Sequence, residues 1–120
     1  MRAMHEGALM RLKKMAGSST ALELLDRFLE ESPERLAACV RALAESDFDQ
    51  IQVHLHRIRN DAGWLGATQV HELAGVGETK AVERVPEGMV ELLEQLSGLC
   101  YQVCQDLERQ RTLLLGSKEL

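Results

Sequence analysis

The chain has 120 residues, 45% hydrophobic and 28% charged, enough for a single domain that would bury roughly two thirds of the surface its unfolded form exposes. Two prolines, two phenylalanines, one tryptophan and one tyrosine stand against abundant Leu, Ala, Glu and Gln, a balance poor in strand formers that predicts an all-α fold. A formal net charge of -5 argues against a nucleic-acid partner, because phosphate-backbone binding rests on clustered cations.

The lead segment, residues 3 to 15, carries Ala8, Leu9, Leu12 and Met15 at helical spacing and ends at Gly17 with Ser18 and Ser19. A second helix starts at Thr20 with Leu22, Leu25, Phe28 and Leu29 in register. The run ESPE then places Ser32 as an N-cap and Pro33 at a first helical position, so a third helix is expected there, through Leu36, Cys39, Val40 and Leu43. Asp47, with Gln50 three residues on, forms a capping-box-like start for a fourth helix. Its apolar ladder, Ile51, Leu55, Ile58, Ala62 and Leu65, makes one inward stripe, and Gly66 is its stop.

The stretch from Ala67 to Val85 reads as a helix open to a break near Gly75, because Gly75 and Gly77 each cost about 1 kcal/mol in a helix interior. A last helix opens at VPEGM with Pro86 at its first position and carries Met89, Leu93, Leu96, Cys100, Val103 and Leu107. The expected architecture is an up-down antiparallel four-helix bundle over residues 20–112. A short lead helix (1–17) packs across one end, and a tail (113–120) is loose or continues the last helix.

No apolar run approaches the roughly 20 residues of a membrane span, and the start MRAMHEGALMRLKK lacks the apolar core of a secretory signal. A cytoplasmic monomer with no membrane partner is the expectation. Cys39, Cys100 and Cys104 lie in apolar helical patterns and read as reduced core or groove residues. Cys100 and Cys104 share a helix face, but structural zinc takes four ligands, so no metal site is expected. GVGETK lacks the spacing of a phosphate loop.

The informative segment is HLHRIRNDAGWLGAT, residues 54 to 68. At about 100 degrees per residue, His56 shares its face with Gln52, Arg59, Asn60 and Gly63 and not with His54 or Arg57. His54, offset about 160 degrees, reads as a boundary residue and cannot share a metal with His56; His5 and His71 read as surface or boundary residues. A neutral imidazole is nucleophilic near neutral pH, and a guanidinium one turn away can hold phosphoryl oxygens by charge-assisted hydrogen bonds.

The run HRIRNDAGWLGA, His56 to Ala67, resembles the signature H-x-L-K-G-S-A-x-x-L-G-A of histidine phosphotransfer (HPt) domains. His56 falls on the phosphorylated histidine, Ile58 on the apolar position, Arg59 on the basic one, Ala62 on the small one, and Leu65, Gly66 and Ala67 on the closing triplet. The resemblance runs from about residue 8 to about residue 110. It implies a carrier rather than an enzyme, in which His56 takes a phosphoryl group from a receiver-domain phosphoaspartate and passes it to another receiver. It further implies that Arg59 stabilises the group and that Gln52, Asn60 and Gly63 meet a receiver or hybrid histidine kinase. No cofactor of its own is implied, Mg²⁺ coming with the receiver. Asn60 stands where the family has glycine and Asp61 where it has serine. The alternative is therefore a degenerate regulatory module that binds a receiver or kinase without carrying phosphate.

Overall fold

The computed structural model describes residues 6–119, with side chains from 7 to 113 except that of residue 9; His5 and the first residues of the expected lead helix lie outside them. Five helices follow in order: α1 Glu6–Ala16, α2 Ser18–Ala44, α3 Phe48–Leu65, α4 Thr68–Val82 and α5 Met89–Glu119. The described residues contain no strand.

Three of the junctions end in the same way. After α3 the amide of Ala67 donates to the Ala62 carbonyl and that of Gly66 to Gly63, with Gly66 at φ 73°, which is a Schellman cap. Ser46 and Arg84, at φ 56° and 58°, hold the same position after α2 and α4, with Asp47 donating to Ala42 and Val85 to Lys80. Asp47 also caps α3, its side chain accepting from the Gln50 amide at 3.2 Å. The reciprocal half of a capping box does not form, because the Asp47 amide is already bonded to Ala42.

Three sequence expectations are corrected or decided. The helix break at Ser32–Pro33 does not occur; Pro33 lies inside α2. Ser32, instead of capping a new helix, turns its hydroxyl back to donate to the Phe28 carbonyl at 2.7 Å. An interior proline removes one helical hydrogen bond, but Leu25 and Phe28 before it and Leu36 and Cys39 after it are buried along one stripe, and that packing holds the helix through. The break near Gly75 is also absent from α4. A Cβ on Gly77 would come within 2.7 Å of Leu55 and 2.9 Å of Leu92, so this glycine lets α4 approach α3 and α5 closely. Finally, α5 starts at Met89 and not at Pro86, whose carbonyl accepts from the Met89 amide in the turn before it; the helix then runs on to Glu119, through most of the expected tail.

The helices pair in antiparallel register. On α2, Arg27 meets Asp61 while Arg35, about two turns on, meets His54. Leu55 faces Gly77 and Gly63 faces His71 across α3 and α4. Asp26 meets Arg111 and Ser32 meets Cys104 across α2 and α5. These registers are compatible with the expected up-down order. The core is built on Leu25, Phe28, Ile51, Leu55, Ile58, Leu65, Met89, Leu96 and Leu107, and the predicted α3 and α5 ladders are buried throughout. Met15 and Val40, expected inside from their spacing, are exposed. α1 packs on α2 and against the end of α3, where Ala8 sits so close to Gly66 that a Cβ there would lie 2.5 Å away.

Candidate functional site

The outward stripe of α3 is Val53, His56, Asn60 and Trp64, spaced three, four and four residues, all exposed. α2 covers one flank through Arg35 and Arg27, and α4 covers the other through Glu78 and His71. The stripe lies between them, with a large exposed apolar side chain at each end, Val53 at 56% and Trp64 at 59% exposure. These two residues were not among the sequence-derived site residues, although the same helical spacing selects them.

His56 has half of its side chain in solvent, and its Nδ1 lies 2.9 Å from Glu78 Oε2. A carboxylate only accepts, so Nδ1 carries the proton and donates. In the neutral ring, Nε2 then holds the lone pair, and Asn60 donates to it through Nδ2 at 3.2 Å. The other Glu78 oxygen, Oε1, lies 3.2 Å from Arg59 Nε. That contact is an ion pair without hydrogen-bond alignment, and neither atom has another hydrogen-bond partner. Arg59, predicted to reach a phosphoryl group, is thus turned toward α4, where its Cδ lies 3.5 Å from the position a Cβ would take on Gly75.

His54 has the opposite tautomer. Its Nδ1 lies 3.2 Å from Arg35 Nη1, and a guanidinium only donates, so Nδ1 accepts and the proton sits on Nε2. Arg35 is itself held by Glu31 at 3.0 and 3.3 Å. Burial first, then the cations of Arg35 and Arg41, push the His54 pKa below the ordinary 6.5. The folded state therefore resists a proton that the unfolded chain accepts. Stability held above the ordinary histidine value is lost as pH falls through the lower folded one. Glu31 and Glu34 line the same hollow. His54→Gln should flatten the decline in melting temperature between about pH 7 and pH 5; an unchanged slope would show that another group causes it.

The remaining predicted residues fall as follows. Gln52 is half-buried at the edge of a hollow of about 380 Å³ lined also by Arg35, Val53, His56, Arg57 and Glu78. Arg57 therefore shares the space beside His56, contrary to the face assignment from helical angles, because its long side chain reaches round the helix. Gly63 is exposed, and beside it His71 packs on α3, its Nδ1 donating to the Arg59 carbonyl at 2.9 Å. A Cβ on Gly63 would lie 3.2 Å from that nitrogen. Asp61 is buried and pairs with Arg27 at 2.8 and 3.3 Å, which raises the Arg27 pKa. It faces α2 and plays no part in the exposed stripe.

Sequence reasoning missed Glu78 altogether. The signal available was the hairpin register: His56 lies ten residues before Gly66 and Glu78 twelve after it, so an antiparallel α3–α4 pair brings them together. All three cysteines are free, and burial pushes Cys39 and Cys100 up to about 12, so these two thiols are packed and inert. No group of three or more His, Cys, Asp or Glu among the described residues is arranged to hold a metal ion.

The family model for the Hpt domain matches residues 23–108, well over half of the chain and including the whole of the site. The chain belongs to the Hpt domain family. No curated protein and no solved structure matches it. As an Hpt domain it is a histidine phosphotransfer module of two-component signalling, of a family that works with receiver domains or histidine kinases. No helix among the described residues is long and apolar enough to cross a membrane.

Proposed function

We propose that this Hpt domain is an active phosphoryl carrier. His56 Nε2 accepts the group from a receiver phosphoaspartate and hands it to a second receiver. The observation that carries the reading is the bond from His56 Nδ1 to Glu78. It fixes the tautomer that leaves Nε2 with its lone pair. When Nε2 attacks phosphorus, the N–P bond forms, the bond from phosphorus to the aspartyl oxygen breaks, and the carboxylate leaves with its electron pair. The ring keeps its Nδ1 proton and becomes cationic, and the Glu78 carboxylate stabilises that charge where it develops. Val53 and Trp64 supply apolar area for the receiver on either side of the histidine. The divalent cation used in such transfers is proposed to arrive with the receiver, so the domain needs only to position and neutralise.

Asn60 bears on the alternative, a module that binds without carrying phosphate, because its amide lies along the line of attack. Displacing a hydrogen bond of about 0.5 to 1.5 kcal/mol slows attack by only about 2- to 10-fold, so it retards the transfer without preventing it. The deciding experiment incubates the chain and its Asn60→Gly variant with several phosphorylated receivers and measures acid-labile, base-stable label. Both should be labelled, the variant faster by that factor despite about 0.3 to 0.5 kcal/mol lost from helix stability. Slower labelling of the variant would assign Asn60 to the phosphoryl oxygens instead. Receiver binding with no label on either protein would replace the carrier reading by the binding module.

A further inference from the structure

We propose that the guanidinium holding the phosphoryl oxygens on His56 is that of Arg57, and that Arg59, at the basic position of the motif, is a positioning residue for Glu78. The inference rests on His56 being the phosphoacceptor. Three observations support it.

Arg59 is committed elsewhere. Its stem leans on α4 at Gly75, its Nε pairs with Glu78 Oε1, and that oxygen has no hydrogen-bond partner. Swinging Arg59 outward to an anion would leave a mostly buried carboxylate oxygen, on a side chain only 13% exposed, without its cation. Uncompensated charge of that kind is strongly disfavoured. It would also loosen the carboxylate that orients His56.

Arg57 carries no such commitment. It is exposed, has no ion pair or hydrogen bond among the described residues, and lines the hollow beside His56, from which Arg59 is absent. The other cation there, Arg35, is held by Glu31 and His54. A phosphoryl group brings a charge of about -1.5 to -2, and turning Arg57 onto it breaks no existing contact.

Guanidinium contact also affects the lifetime of the phosphohistidine. Ion pairing with the guanidinium shields phosphorus from water, and a nearby cation disfavours a proton on the phosphoryl oxygens. Arg57 therefore preserves the dianion.

The test uses the full chain with phosphoramidate as the phosphodonor, so that no receiver interface enters. Phosphorus-31 titration of the phosphohistidine, its hydrolysis rate, and the nitrogen-15 shifts of the unphosphorylated His56 ring are compared among wild type, Arg57→Gln, Arg57→Lys and Arg59→Gln. Arg57→Gln should raise the phosphoryl group's second pKa by about half a unit and shorten its half-life, leaving the ring shifts unchanged; Arg57→Lys should restore most of both. Arg59→Gln should move the ring nitrogen shifts, as the tautomer loses its support, and leave the phosphoryl titration near wild type. A titration moved by Arg59→Gln and not by Arg57→Gln overturns this assignment alone. Wild-type protein that takes no phosphoryl group overturns the phosphoacceptor reading as well.

Discussion

His56→Gln is expected to abolish phosphoryl acceptance, while His54→Gln retains nearly all of it. Two histidines one residue apart differ this sharply because their neighbours fix opposite tautomers. Glu78 accepts from His56 Nδ1 and leaves Nε2 with its lone pair, whereas Arg35 donates to His54 Nδ1 and leaves the proton on Nε2. His54 is also half-buried between α2 and α3, so its ring is less open than that of His56 to a phosphorus it would have to attack. Glutamine at 56 has no nucleophilic nitrogen, so no residual activity is expected. The fold should be spared: His56 is half in solvent, glutamine is at least as good a helix former, and the lost surface pair is worth about 1 kcal/mol or less. Label quantified after base treatment, with circular dichroism on the same samples, checks both halves. Persistent label on His56→Gln would move the phosphoacceptor elsewhere.

The fold was legible where a single local cause fixes it. The α3 ladder and its Gly66 cap follow from spacing and from a left-handed position that glycine takes without strain, and the structure shows both. Pro33 misled because its local preference is strong, about 3 kcal/mol against a helix interior, yet the stripe on either side of it is buried as one surface. Gly77 misled for the same reason: it weakens α4 taken alone and is needed only because Leu55 and Leu92 come so close. In both cases tertiary packing outweighs propensity, and packing is invisible in a local window. The caps at Ser46 and Arg84 carry no glycine to announce them.

The site shows the same division. His56, Arg59 and Asn60 were found because they lie on one helix in a recognisable run. What each does depends on partners from other helices. Arg59 is taken up by Glu78, Gly63 lies beside His71, and Asp61 pairs with Arg27, separations of 19, 8 and 34 residues in sequence. The departure at Asp61, which suggested a degenerate site, is explained by an arginine on α2 that gives its carboxylate a partner on the side away from the histidine.

Glu78→Gln should slow phosphoryl acceptance by about 100-fold, the order lost when one preorganised group facing developing charge is removed. Glu78 does two things at once, accepting from His56 Nδ1 at 2.9 Å through Oε2 and facing Arg59 Nε at 3.2 Å through Oε1. The amide preserves the shape but has one oxygen for these two tasks. With that oxygen on His56 the tautomer survives, but an NH₂ is pressed against Arg59 and the cationic ring formed during attack loses its counter-charge. With the oxygen toward Arg59, the NH₂ faces Nδ1, which must then accept, so the proton moves to Nε2 and the nucleophile is lost. Either arrangement slows the chemistry without altering the outward stripe of Val53, His56, Asn60 and Trp64. Receiver affinity should therefore change less than twofold, while single-turnover labelling falls. Glu78→Asp, one methylene shorter, should be intermediate because it can reach one of its two partners. Labelling of Glu78→Gln at the wild-type rate would reduce the pair to a surface contact and remove the main support for His56 as a preorganised nucleophile.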